Sequence, residues 1–146
     1  MRFEPRGGSV NGYEHIFDDG MPRFTLEQAN ALLPKIIKLT EQAIENIQEA
    51  RDRMESEELF NEEDAQQSYD VQVGLTLEKW EKHIRSLGAY PKGYFTVDFK
   101  SMLPDTLLCW TLGETQVKHT HKTWENFKRR RTIAHPEVYS FSFSLN

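Results

Sequence analysis

Between Gly88 and Tyr94 the apolar residues change their spacing, and that change limits what the chain can fold into. Before it, Leu33, Ile36, Ile37, Ala43, Ile44, Ile47, Ala50 and Met54 recur mostly at steps of three and four. So do Tyr69, Val73, Leu77, Trp80, Ile84 and Leu87. Such spacing gathers side chains into one stripe along a helix. Lys38, Glu41, Glu45, Gln48, Glu49 and Arg51 occupy the other face of the first helix. After the change, Phe95, Val97 and Phe99 alternate with Tyr94, Thr96 and Asp98, the period of a half-buried strand. In Thr106–Leu112 the side chains of Leu108, Trp110 and Leu112 point one way, and those of Leu107, Cys109 and Thr111 the other. The expected fold is therefore α+β. A long antiparallel helical hairpin of coiled-coil type comes first. A small antiparallel β-hairpin with its turn at Lys100–Asp105 follows.

Local signals set the boundaries. Thr25 and Gln28 form a capping box at the start of the first helix, and Glu27 suits the positive end of the helix dipole. Pro34 cannot sit unperturbed inside a helix. The first helix is thus expected over about residues 26–32, with a kink or restart at Pro34. The acidic stretch Glu55–Asp64 reads as the connection, Gly74 as a close helix crossing, and Gly88 as the residue past the end of the second helix. His83 reads as a surface cation near that end. Residues 1–23, with Gly7, Gly8, Gly12 and Gly20 beside Pro5 and Pro22, form an irregular arm. Residues 24–133 make a single domain and residues 134–146 a tail. Tyr13, Ile16 and Phe17 would pack the arm onto the body, and the alternation from Tyr139 to Leu145 would suit an edge strand, an unordered tail or strand addition to another chain.

Composition narrows the function classes. The chain has 146 residues, enough for one domain, and 18 basic against 23 acidic side chains give a formal net charge of -5. That balance argues against a dedicated nucleic-acid binder. No apolar run reaches the length of a membrane span, and the N-terminal charges have no apolar core behind them. The single cysteine excludes an internal disulfide and a Cys-x-x-Cys zinc pair. The expected setting is the cytoplasm.

Reactive side chains concentrate in Leu107–His121, which holds Cys109, Glu114, His119 and His121. Two imidazoles and a carboxylate are ligands that a divalent transition metal such as zinc accepts. His119, His121 and Glu114 are the candidate metal ligands. The two imidazoles share a face if the segment is extended, although no HExxH helix accompanies them. Glu114, His121, Arg129 and Arg130 are the candidate ligand-binding residues, and Glu114 could equally accept backbone N–H groups in the turn or pair with Arg129 or Arg130. Cys109 reads as a small buried hydrophobe. His15, Asp18 and Asp19 read as a solvated loop rather than a ligand cluster. Lys118, Lys122 and Lys128–Arg131, interleaved with Trp124 and Phe127, would suit a local nucleic-acid contact.

Phe24–Pro34, ending in Ala31-Leu32-Leu33-Pro34, resembles the start of an uncharacterised bacterial family, domain of unknown function 2203. Thr96-Val97-Asp98-Phe99, then Leu107–Glu114, His121 and Phe127, continue the resemblance over residues 24–133. It implies the α+β fold and a site at Glu114 and His121, but no established activity. The chain departs from it at Lys122, Trp124 and Asn126, which stand where the resemblance leads one to expect acidic residues and a Gly-Phe pair.

Three functions are compatible with these features. The leading expectation is a structural or interaction protein that self-associates through its amphipathic helices, as a two-fold dimer, because a lone hairpin is marginal in water. The alternative is a metal- or small-ligand-binding protein, hydrolytic if a bound metal activates water, with its site around Glu114 and His121. The second alternative is a nucleic-acid contact through Lys128–Arg131.

Overall fold

The structure is a computed structural model that describes residues 19–56, 62–93 and 95–140. The first 18 residues of the arm, with Tyr13, His15, Ile16, Phe17 and Asp18, lie outside these. So do residues 57–61 of the acidic connection, Tyr94, and residues 141–146 of the tail. Helix α1 spans Leu26–Ser56 and helix α2 spans Glu62–Ser86. The strands are β1 (Tyr90–Lys92), β2 (Thr96–Lys100), β3 (Thr106–Thr111), β4 (His119–Lys122) and β5 (Arg131–Thr132). All neighbours pair antiparallel in the order β1-β2-β3-β4-β5. The α+β fold with a helical hairpin is thus as read from the sequence. The two expected strands are the centre of a five-stranded sheet.

The capping box forms as expected. Thr25 N–H donates to Gln28 Oε1 at 2.9 Å and Gln28 N–H to Thr25 Oγ1 at 3.1 Å. The expected stop near residue 32 does not occur, because α1 continues as one helix with Pro34 inside it. An interior proline costs about 3 kcal/mol. The burial of Leu33, Ile36, Thr40 and Ala43 on either side of the ring holds the helix together against that cost. Glu62, Glu63 and Asp64 belong to the first turn of α2 rather than to the connection, where the helix dipole favours carboxylates. Gly88 ends the hairpin with φ +92, as its position predicts. Gly74 is exposed and a Cβ there would meet nothing within 4 Å, so it marks no close crossing.

One face of the sheet makes the core. Val97, Phe99, Leu108 and Trp110 pack with Leu33 and Ile36 of α1 and Trp80 and Ile84 of α2. Phe24 meets Phe99 edge-on at 5.3 Å, and Trp80 meets Phe95 at 5.1 Å. Leu112, expected on this face, is 43% exposed. Strand β3 ends one residue earlier, and Gly113, with φ +100, turns the chain away. The helices join through one buried hydrogen-bond chain. Trp80 Nε1–H donates to Thr40 Oγ1 at 2.9 Å, and that hydroxyl donates to Ile36 C=O at 2.8 Å.

The other face of the sheet was expected to meet water, yet every residue of β2 is buried. Two segments cover this face. The end of the arm crosses β1 and β2, where Asp19 accepts from Tyr90 Oη at 2.6 Å and from Lys100 Nζ at 3.1 Å. The loop after β4 crosses the rest. Beyond β5, the described chain makes a 3-10 turn at Pro136–Tyr139; of the alternating stretch Tyr139–Leu145, residues 141–145 lie outside the described residues. Ile133 and Tyr139 pack against the core.

Candidate functional site

Strand alternation sends Thr96 and Asp98 of β2, Leu107, Cys109 and Thr111 of β3, and His121 of β4 to the covered outer face. The pairings Asp98–Cys109 and Leu107–His121 bring them level. They floor a pocket of about 680 Å³. Lys92 and Gly93 stand at one end, and Thr123, Glu125, Asn126 and Phe127 form the covering wall. Asn126 caps the 3-10 turn Phe127–Arg129 by accepting from Lys128 N–H, which sets the position of Phe127 in that wall.

Three polar side chains of the floor are buried. Asp98, Cys109 and His121 are 2%, 0% and 6% exposed. One nitrogen, one sulfur and one carboxylate oxygen from these three lie within 4.8 Å of one another, and this is the one such trio among the described residues. His121 Nε2 lies 3.1 Å from Asp98 Oδ2, and His121 Nδ1 lies 2.8 Å from the Lys122 carbonyl oxygen. A neutral imidazole has one N–H and would leave one of these oxygens facing a lone pair; the imidazolium donates to both. Burial opposes the charge on His121 most strongly. The Asp98 carboxylate and the Lys122 carbonyl outweigh it and raise the pKa above the ordinary histidine value. Burial, then the facing Asp98 charge, pushes the Cys109 thiol far up and keeps it protonated. Asp98 Oδ1 is shielded from solvent and accepts no hydrogen bond from any described residue.

A second polar group sits beside the first. Arg130 grips Glu114 with two parallel bonds, Nη1 to Oε1 at 3.0 Å and Nη2 to Oε2 at 2.7 Å. Thr111 N–H also donates to Oε1, at 2.9 Å. His119 Nδ1 approaches Oε2 to 3.2 Å without the alignment of a hydrogen bond. Burial works against the Glu114 charge, but Arg130, the Thr111 N–H and His119 together keep its pKa below the ordinary range. Arg130 also stacks over Phe127 at 4.3 Å and points Nη1 at Cys109 Sγ from 3.9 Å. Arg131 makes a similar fork with Glu125, at 3.0 and 2.8 Å. That fork, then the Lys122 N–H, holds Glu125 down to about 2.

The structure therefore divides the residues read from the sequence. Glu114, His119 and Arg130 converge, as a structural clamp on the covering loop. His121 leaves that set and joins Asp98 and Cys109. His119, His121 and Glu114 do not form one ligand set. Arg129 is exposed and lines no part of the pocket. Two of the four cations of Lys128–Arg131 are committed to carboxylates, so the basic run is weaker than its sequence. Asp98 was missed. Its signal was a carboxylate inside the run Thr96-Val97-Asp98-Phe99, since aspartate is depleted in strands and needs a reason to be there.

Fold and site together define a small α+β domain with a half-covered sheet and a polar-floored pocket. Residues 23–133 match the family described as uncharacterized conserved protein, DUF2203, and the chain belongs to that family. Comparison with curated proteins and with solved structures gave no match. No helix among the described residues is long and apolar enough to cross a membrane.

Proposed function

We propose that this chain binds a small polar molecule in the pocket on the outer face of its sheet. The observation that carries this reading is the floor itself. A buried carboxylate, imidazole and thiol sit at the base of a cavity whose volume falls in the range of small-ligand sites, about 300–1,000 Å³. Desolvating such groups costs free energy unless something compensates, and the core cluster on the other face includes none of the three. The Thr96 and Thr111 hydroxyls, 2.8 Å apart, and Lys92 at the rim supply further polar contacts. Leu107 and Phe127 supply apolar wall.

Gly93 provides the test. It lies at the pocket rim, and a Cβ there meets nothing within 4 Å. Gly93→Trp is expected to fold normally and to obstruct the entrance. With a polar fragment library, amide shifts in the wild type should cluster at Thr96, Cys109, His121 and Asn126, and should vanish in Gly93→Trp. Shifts scattered over α1 and α2, or unchanged by the tryptophan, would refute this reading.

A second reading, self-association, is supported by α2. Val71 and Leu75 are 52% and 54% exposed and one helical turn apart, so they form an apolar spot on a face that covers none of the core. Sedimentation velocity across a concentration series is expected to show a dimer that Leu75→Glu converts to monomer. A wild-type monomer at all concentrations would end that reading.

A further inference from the structure

We infer that Asp98, Cys109 and His121 form a binding site for a divalent transition metal ion, zinc by their chemistry, at the floor of the pocket. The inference rests on the reading of the pocket as a binding chamber, since it supplies that chamber with an anchor.

Four independent features support the assignment. The ligands come from three adjacent strands, β2, β3 and β4, so the sheet ladder itself holds their spacing. Tetrahedral zinc with nitrogen and oxygen ligands at about 2.0 Å places those atoms about 3.3 Å apart, and His121 Nε2 already lies 3.1 Å from Asp98 Oδ2. His121 Nδ1 is on the Lys122 carbonyl at 2.8 Å. Metal-bound histidines characteristically use the second nitrogen this way, which fixes the ring and aims Nε2. Asp98 Oδ1 is a shielded oxygen with no described partner, and a cation beside the carboxylate would compensate its burial.

Charge agrees with geometry. A thiolate, a carboxylate and a neutral imidazole carry two negative charges, matching a divalent ion. Arg130, whose Nη1 lies 3.9 Å from Cys109 Sγ, is neutralised by its fork with Glu114. Sulfur, nitrogen and oxygen together suit zinc better than magnesium or calcium, which prefer all-oxygen sites. Three protein ligands leave one tetrahedral position facing the pocket, the arrangement of zinc sites that hold a water or a ligand. On binding, the metal displaces the Nε2 proton of His121 and the Sγ proton of Cys109, and both leave to solvent. In its absence, the imidazolium–carboxylate pair occupies the same space.

The test uses the full chain, reduced and free of any histidine tag, titrated with cobalt(II) and then with zinc(II). Cys109 is the only cysteine, so a sulfur-to-cobalt charge-transfer band in the near ultraviolet reports this site alone. The expected result is one cobalt per chain with that band, displaced by one equivalent of zinc. Cys109→Ser removes the band. Asp98→Asn and His121→Gln weaken binding at least tenfold, and the surface control His83→Gln leaves it unchanged. Circular dichroism checks that each variant is folded; the wild-type titration decides the question even where a variant is not. A folded wild type that shows no charge-transfer band, or binds zinc equally well after Cys109→Ser, overturns the inference. If zinc does not bind but fragments still occupy the pocket, this inference falls and the pocket reading stands; if zinc binds and no fragment does, the pocket reading falls alone.

Discussion

Replacing Glu114 with Gln is expected to lower the unfolding free energy by about 2–4 kcal/mol, between the value of one charge-assisted hydrogen bond and that of a buried ion pair. The carboxylate accepts both arms of Arg130 and the Thr111 N–H. The amide cannot accept at all three and presents an N–H₂ to a guanidinium. The two side chains are 21% and 14% exposed, so water repairs little of the loss. Urea denaturation gives the size. Arg130→Met and the double variant give the coupling, expected at more than about 1 kcal/mol for groups in direct contact. Coupling near zero would show that the clamp contributes nothing to stability.

The pH dependence of the same substitution has a definite sign. The folded-state pKa of Glu114 lies below its ordinary value. A depressed carboxyl contributes stability above its unfolded value, and that stability is lost as pH falls through the folded one. The melting temperatures of wild type and Glu114→Gln should therefore differ most near neutrality. They should begin to converge below about pH 4, where an ordinary glutamate protonates, and meet only below the depressed folded-state value. A difference that stays constant or widens in acid would contradict the ion-pair account.

Thr40→Val is expected to cost about 1–3 kcal/mol, although valine matches threonine in shape, because a buried donor loses its acceptor. The donor is Trp80 Nε1–H, 2.9 Å from the hydroxyl, with Thr40 0% and Trp80 3% exposed. The chain of bonds from Trp80 through Thr40 to Ile36 C=O spans the two helices, so the loss falls on their packing. Trp80→Phe removes the donor but also leaves a void. The combined variant should cost clearly less than the sum of the two, because removing both partners leaves no unpaired group. Full additivity in chemical denaturation would rule out the hydrogen bond as the source of the cost.

The helical hairpin was legible because its information is local. The period of Leu33 to Met54, the Thr25–Gln28 box and Gly88 each act within a few residues, and each is found where it was read. The edge strands were not legible. Tyr90–Lys92 and Arg131–Thr132 have three and two residues, too short for alternation to show. Leu112 was misjudged because a turn set by Gly113 ended the strand before it. Half the candidate site was readable in the same way. Glu114 and Arg130 meet as one of the sequence alternatives had it, since oppositely charged side chains 16 residues apart flank a single excursion of the chain.

The sequence by itself determined the α+β class, the stripe on each long helix apart from the exposed Leu77, the two central strands and the identity of the reactive side chains. Only the tertiary structure decided which of those side chains share a site. Asp98, Cys109 and His121 come together through the register of three strands, and register depends on pairing between distant segments, not on local spacing. The same folding placed the end of the arm and the loop after β4 over the outer face. That turned a strand side expected to meet water into the floor of a pocket, and an aspartate that read as surface into its central carboxylate.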